Sequence, residues 1–126
     1  MANILHTPKA PAAIGPYSQG VAAGSMVFVS GQLPVIPETG LLLDGSIGEQ
    51  TCQCLKNIEN ILAEAGCTLA NVVKTTIFLK DLNDFAQVNE AYGTFFPTNP
   101  PARACVEVAR LPKDGRVEIE AIAVRD

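Results

Sequence analysis

The two stretches that decide the fold lie near the C-terminus: Pro101 to Val108, PARACVEV, and Val117 to Glu120, VEIE. Each is predicted to be a strand, and the polar residues 111–116 are predicted to join them as the turn of an antiparallel hairpin. Arg103 has apolar neighbours on the first strand, and its guanidinium carries a permanent charge that needs a partner. That partner is either a carboxylate of the protein or the carboxylate of a ligand.

Arg103 is the strongest candidate for ligand binding, because a guanidinium binds a carboxylate through two parallel hydrogen bonds. The competing explanation is a structural salt bridge to Glu107, Glu118 or Glu120, which is the commoner fate of a strand arginine. These residues alone leave the choice open.

The alternation of side chains along a strand places Glu118 and Glu120 on one face, where a carboxylate could position a water molecule and accept its proton. Alternatively, both are solvent-exposed residues without a role. A hairpin that turns at residues 113–114 pairs Glu118 with Ala109 and leaves Arg103 about six residues, or roughly 20 Å, away. Either the strands pair differently, or the site takes groups from more than one subunit.

Four further residues are weaker candidates. Cys105 has no histidine placed to activate it, so it is more simply a small buried side chain whose backbone N–H could serve a ligand. Tyr17 is either a hydrogen-bond donor over a ligand or an aromatic residue packed under the N-terminal segment. Asn89 borders the apolar face of a predicted helix. Its side chain has three alternative roles: it caps, it lies in solvent, or it faces a pocket. Gly31 directly follows an apolar strand, which indicates either a close backbone approach or a bulge.

Length and composition indicate one domain over residues 1–126 that associates with copies of itself. A chain of 126 residues can bury one core but not two. Hydrophobic residues make up 48% of it and charged residues only 17%, which is low for a small monomer with a large surface to solvate. A homo-oligomer would bury part of that surface.

Charge and cysteine usage exclude several classes of function. The net charge is −4, the pI is about 4.9, and the lysines and arginines are scattered, so nucleic acid is disfavoured as a partner. Cys52 and Cys54 do not form a CxxC pair, and with one histidine in the chain no metal site is expected. No signal peptide or membrane span is predicted, so we expect a soluble cytoplasmic protein with reduced thiols. The sequence assigns no role to Cys52, Cys54 or Cys67.

The elements along the chain predict an α+β fold. Residues 1–16 form an extended arm, a capping box at Ser46–Glu49 begins the first helix, and a second amphipathic helix follows Asp84. The predicted order is β-β-α-β-α-β-β, a mixed sheet with two helices on one face and hairpins at both ends. No third helix remains to cover the other face, which favours self-association through it.

Several separated motifs, taken together, resemble the reactive intermediate deaminase family, RidA or YjgF. The resemblance spans nearly the whole chain and is most specific in the two C-terminal stretches. The other matching segments are Ala12–Gly20, Val29–Gln32, Val73–Thr76 and Lys80–Phe85.

The resemblance implies a chorismate-mutase-like fold and a homotrimer with clefts between its subunits. It implies a 2-iminobutanoate/2-iminopropanoate deaminase, which hydrolyses enamine and imine intermediates released by PLP-dependent dehydratases to a 2-keto acid and ammonia. No cofactor or metal is implied. The loop after Gly40 and residues 97–100 have lengths and residues of their own, so the preferred side chain of the imino acid stays undetermined.

The resemblance also implies roles for individual residues. By position, Arg103 holds the substrate carboxylate and Glu118 positions the attacking water. The remaining implied contacts are Tyr17 and Ser30 in the cleft wall, backbone groups of Gly31 and Cys105, and, on a weaker match, Asn89. The alternative is a binding role, either as a chaperone-like holdase or as a translation inhibitor acting on RNA; the acidic pI counts against RNA.

Overall fold

The protein, described by a computed structural model over residues 2–126, has an α+β architecture with two α-helices against a mixed sheet. The strands in this range are β1 (Asn3–Leu5), β2 (Gly20–Ala23), β3 (Met26–Gln32), β4 (Val35–Ile36), β5 (Leu41–Leu42), β6 (Val72–Leu79), β7 (Ala102–Glu107) and β8 (Val117–Val124). The helices are α1 (Ile47–Ala63) and α2 (Phe85–Phe95). The predicted α+β class is confirmed, and β1, β4 and β5 are additional short strands.

The six-stranded sheet has the order β1-β2-β3-β8-β6-β7, so the predicted C-terminal hairpin is wrong. Strand β8 lies antiparallel between β3 and β6, while β7 pairs in parallel with β6 at the edge. The reason is that β6, α2 and β7 form a strand–helix–strand unit, which returns its second strand parallel to the first. The N-terminal hairpin of β2 and β3 is as predicted.

Strand β8 alternates strictly between core and surface, which suits a central position. Val117, Ile119, Ala121 and Ala123 are all buried, whereas the residues between them are partly or fully exposed. The buried side chains pack beneath α1, whose Cys54 Sγ lies 3.9 Å from the carbonyl oxygen of Val117. The two glutamates of β8 therefore point to the face of the sheet opposite the helices.

The capping box predicted at the start of α1 is present. The Ser46 hydroxyl accepts a hydrogen bond from the N–H of Glu49, and the Glu49 carboxylate accepts one from the N–H of Ser46. After α1, Gly66 adopts a left-handed backbone with φ of 72°, a conformation that favours glycine.

The sheet face opposite the helices carries exposed apolar side chains and has no covering helix within residues 2–126. Phe28 is 42% exposed, Val106 43% and Val124 38%, and each lies on a different strand of that face. Several large apolar side chains exposed on one face favour burial against a partner. The expectation that this face lacks a covering helix is confirmed for residues 2–126.

The buried side-chain amide of Gln19 is a main contact between the N-terminal arm and the body, beside the pairing of β1 with β2. Gln19 is 2% exposed, and its Oε1 accepts from the N–H of Thr7 at 2.8 Å. Its Nε2 donates to the carbonyl groups of Thr7, Ala10 and Pro11 at 3.0, 3.3 and 2.8 Å. The arm thereby satisfies backbone groups that would otherwise be buried without partners.

We expect Gln19→Leu to lower the free energy of unfolding by about 1–3 kcal/mol, because the buried backbone groups of the arm lose their partners. Urea denaturation would measure this, and hydrogen exchange should show faster exchange at the Thr7 amide. Gln87→Leu, at an exposed position of α2, is the control and should be near neutral. Equal stability of the two variants would contradict the tethering role.

Candidate active site in two halves

A cleft of about 760 Å³ opens on the helix-free side of the sheet. It lies between the N-terminal arm, the end of β3, the β4–β5 hairpin and β8. Its lining includes Tyr17, Ser30, Gly31, Lys113, Glu118 and Glu120. The cleft thus brings together four of the residues named from the sequence, namely Tyr17, Ser30, Gly31 and Glu118.

A bulge in β3 shapes the floor of the cleft. Val29 pairs with Ala121 and Gln32 with Ile119, so two residues of β3 lie opposite one residue of β8. A Cβ atom on Gly31 would lie 2.9 Å from both Cδ and Oε1 of Glu118. The sequence offered a bulge or a close approach at Gly31, and the structure has both.

Glu118 is the electrostatically unusual group of the cleft. Its side chain is half-buried, and burial, together with the negative charge of Glu120, raises the pKa of its carboxyl above the ordinary value. Within residues 2–126 no lysine or arginine forms an ion pair with it. A carboxyl with a raised pKa can accept a proton and return it more readily than an ordinary glutamate.

Tyr17, directly after the arm, and Ser30 of β3 both line the cleft. Tyr17 is 52% exposed, and its hydroxyl oxygen accepts from the N–H of Ile14 at 3.3 Å. The Ser30 hydroxyl donates to the carbonyl of Ser18 at 2.5 Å, so its own proton is engaged within the chain. The lone pairs of Ser30 Oγ remain available as acceptors.

Arg103 lies outside this cleft, on the helix side of the edge strand β7. Its guanidinium carbon is 5.5 Å from the ring centroid of Phe85 and 5.0 Å from that of Tyr92, both on α2. The ion pairs found in the described chain are Arg110–Asp114 and Arg116–Asp84. The alternative of a structural salt bridge from Arg103 to Glu107, Glu118 or Glu120 is therefore absent within residues 2–126.

Cys105 and Asn89 belong to the same side of the sheet as Arg103. Cys105 follows Arg103 by two positions on β7, packs against the core, and has a thiol pKa raised by burial, so a thiolate nucleophile is disfavoured. Asn89 lies on α2 between Phe85 and Tyr92, and its buried Oδ1 has no hydrogen-bond partner within residues 2–126. An acceptor without a partner on the helix that also contacts Arg103 could accept a hydrogen bond from a ligand that carries a donor.

The cleft with Glu118 and the group of residues around Arg103 lie on opposite faces of the sheet. Arg103 pairs in register with Thr75, which pairs with the buried Ala121 of β8. Thr75 is bonded to α2, so this row of side chains faces the helices, whereas Glu118 faces away from them. Within one chain, a small ligand cannot touch both Arg103 and Glu118. Of the two alternatives left by the sequence, the strands do pair differently, yet the new pairing does not bring the groups together.

Sequence reasoning missed two supports of the cleft wall. Asn57 of α1 is fully buried, and its Nδ2 donates to the carbonyl groups of Leu33 and Val35 at 3.2 and 3.0 Å. Lys113 has φ of 59°, and its Nζ donates to the carbonyl of Gly40 at 3.1 Å across the mouth of the cleft. The sequence does show Asn57 as a polar residue among the apolar positions of α1. Its hydrogen-bond partners lie more than 20 positions away, so the sequence does not identify them.

The described residues contain no cluster of three or more potential metal ligands. The four cysteines are free thiols, with Cys54 and Cys67 buried. Across residues 2–126, none of the helices has the length and apolar character needed to cross a membrane.

Comparison with known proteins supports one family throughout. Residues 7–125 match the family described as Endoribonuclease L-PSP. A 2-iminobutanoate/2-iminopropanoate deaminase from Salmonella typhimurium is 55% identical over 128 residues, which cover 99% of this chain and 99% of that protein. The structure of E. coli TdcF with bound serine has a TM-score of 0.94 at 50% identity, and that of the YjgF gene product from E. coli has 0.94 at 52%. Both alignments cover 98% of this chain and 99% of the other.

The electrostatics of the cleft can be tested without reference to activity. We expect Glu120→Gln to lower the pKa of the Glu118 carboxyl, because the variant removes a negative charge that opposes ionisation. The pKa should remain above that of an ordinary glutamate, since burial still acts. A carbon-detected NMR titration of the side-chain carboxyls measures it, with Glu90→Gln at an exposed position of α2 as the control. An unchanged Glu118 pKa in Glu120→Gln would refute the coupling.

Proposed function

The chain belongs to the Endoribonuclease L-PSP family, which confirms its resemblance to RidA and YjgF, and we propose that it hydrolyses 2-imino acids to 2-keto acids and ammonia. This is the type of activity for which the Salmonella relative is named. The observation that carries the proposal is Arg103, a half-buried guanidinium without an ion pair in the described chain, held on aromatic rings at an open sheet edge. Such a group is suited to bind a carboxylate through two hydrogen bonds.

The second proposed element is Glu118 as the group that positions water. Its raised pKa and its contact with the bulge at Gly31 suit a carboxyl that takes a proton from water and later gives it up. In the proposed reaction, the water oxygen bonds to C2 of the protonated imine, one water proton passes to Glu118, and the π electrons of the C=N bond move to nitrogen, which gives a carbinolamine. Glu118 returns that proton to the amino nitrogen, and the C–N bond breaks to release ammonia. The hydroxyl proton then passes to Glu118 while the O–H electrons complete the C=O bond of the 2-keto acid.

The remaining site residues take the following proposed roles. Tyr17 and Ser30 line the cleft around the substrate, and a backbone group of Gly31 lies near the imine nitrogen. Beside Arg103, the backbone N–H of Cys105 and the side chain of Asn89 contact the substrate. Because a protonated imine carbon is already electrophilic, binding and a placed water account for most of what catalysis requires.

We further propose that the active site forms between subunits of a homotrimer. The support is the opposite placement of Arg103 and Glu118 on the sheet, together with the exposed apolar side chains Phe28 and Val106 on the helix-free face. An Arg103 at the edge of one subunit then completes the cleft of its neighbour. The chain acts in this proposal as one domain, and the serine bound to E. coli TdcF, an amino acid with a carboxylate, is consistent with the substrate class.

The role of Arg103 is tested by keto acid release from imines that a PLP-dependent dehydratase generates from several amino acids. Arg103→Ala should lower kcat/KM at least about 100-fold, because two charge-assisted hydrogen bonds are lost. Arg103→Lys should also be poor, since an ammonium does not reproduce the fork. Arg125→Ala, at the end of the chain, is the control. Full activity of Arg103→Ala would rule out the role.

Two other outcomes would favour a binding function. If the wild-type protein does not hydrolyse imines but binds RNA in a salt-dependent way, and Arg103→Ala loses that binding, the RNA alternative is favoured. If the protein suppresses aggregation of client proteins and Arg103→Ala does so equally well, the holdase alternative is favoured.

The composite site is tested by mixing two inactive variants. Arg103→Ala and Glu118→Gln subunits, unfolded together and refolded, should regain up to about a quarter of wild-type activity, because random assembly pairs an intact arginine with an intact glutamate at that fraction of interfaces. Each variant refolded alone should stay inactive. If the mixture regains nothing although sedimentation shows mixed oligomers, the site does not span subunits.

A further inference from the structure

We propose that Phe85 and Tyr92 are positioning residues that hold the guanidinium of Arg103 for carboxylate binding, an inference that rests on the proposed function. Both rings lie on α2, seven positions apart, so they occupy the same side of the helix two turns apart. The guanidinium carbon lies 5.5 Å from the Phe85 centroid and 5.0 Å from the Tyr92 centroid. These distances are within the range of cation–π attraction.

Tyr92 is itself fixed by a hydrogen bond that returns to the sheet. Its hydroxyl oxygen is 2.7 Å from Oγ1 of Thr75, which is 1% exposed. Thr75 lies beside Arg103 in the parallel register of β6 and β7. The contacts therefore form a closed circuit from β7 to α2, from α2 to β6, and from β6 back to β7. Such a circuit restricts where the Tyr92 ring can lie beneath the guanidinium.

The arrangement orients Arg103 without using its hydrogen-bond donors. A ring attracts the face of a guanidinium, whereas its N–H groups lie in the plane and point outward. No acidic side chain within residues 2–126 pairs with Arg103. A salt bridge would have oriented the side chain but would have occupied the N–H donors of the guanidinium. The rings orient the side chain and leave those donors available.

The expected kinetic signature is a change in KM with kcat nearly unchanged. Arg103 would hold the substrate carboxylate equally in the ground state and in the transition state, so a loosened guanidinium weakens uniform binding. Phe85 is the position to vary because it is 38% exposed, whereas Tyr92 is 5% exposed and bonded to Thr75. A cation–π contact at such an exposed site corresponds to roughly a 2- to 5-fold change in affinity.

In the dehydratase-coupled assay, Phe85→Leu should raise KM by roughly 2- to 5-fold with kcat unchanged. Phe85→Tyr keeps a ring and should restore wild-type KM. Phe95→Leu is the matched control, because it makes the same change on the same helix at a residue packed against the core, and it should leave KM unchanged even if stability falls. A wild-type KM in Phe85→Leu, or an equal rise in Phe95→Leu, would overturn the positioning role.

A second measurement separates this inference from the proposed function. The Hδ protons of Arg103 should be shifted upfield by ring currents in wild type, assigned by their loss in Arg103→Lys. Phe85→Leu should move them downfield, Phe85→Tyr should not, and the chain needs no activity for this reading. If the wild-type protein does not hydrolyse imines but the NMR shifts are as expected, the proposed function is wrong, whereas the contact between Phe85 and Arg103 is confirmed. Unmoved Hδ resonances in Phe85→Leu would overturn the inference whatever the activity.

Discussion

The alternation of side chains along β8 is the constraint on which the rest of the structure depends. Every second residue from Val117 to Ala123 is buried under α1, and this fixes which way the residues between them point. Glu118 and Glu120 must then face the side that has no helix. Because β8 is central in the sheet, a shift of one residue would turn both carboxylates into the core, where a charge without a partner is costly.

The sequence predicted the order of the main elements because each depends on local signals. The capping box at Ser46 and Glu49, the apolar spacing of α1 and the β-branched run of β6 all act within a few residues. Strand neighbours depend on contacts far along the chain, and there the expected C-terminal hairpin failed. The strand–helix–strand unit of β6, α2 and β7 contained the missing signal, since such a unit requires a parallel pair.

The candidate site was predictable as a set of residues but not as a geometry. Tyr17, Ser30, Gly31 and Glu118 share a cleft, whereas Arg103 lies on the opposite side of the sheet, the side on which Cys105 and Asn89 also lie. That separation arises from the order in which the strands pair in the sheet, and the periodicity of apolar residues does not predict this order. The buried amides of Gln19 and Asn57 were not predicted for a related reason. Their partners are backbone carbonyl groups that the fold brings near, and the identity of a residue does not predict such partners.

The bulge at Gly31 has a consequence for how the sequence can vary. The Glu118 carboxylate already occupies the room that a side chain at position 31 would need, so the two positions share one volume. A side chain at position 31 would therefore displace the Glu118 carboxylate from its place against the bulge. Substitutions at positions 31 and 118 are thus expected to be non-additive, although 86 residues separate the two positions in the chain.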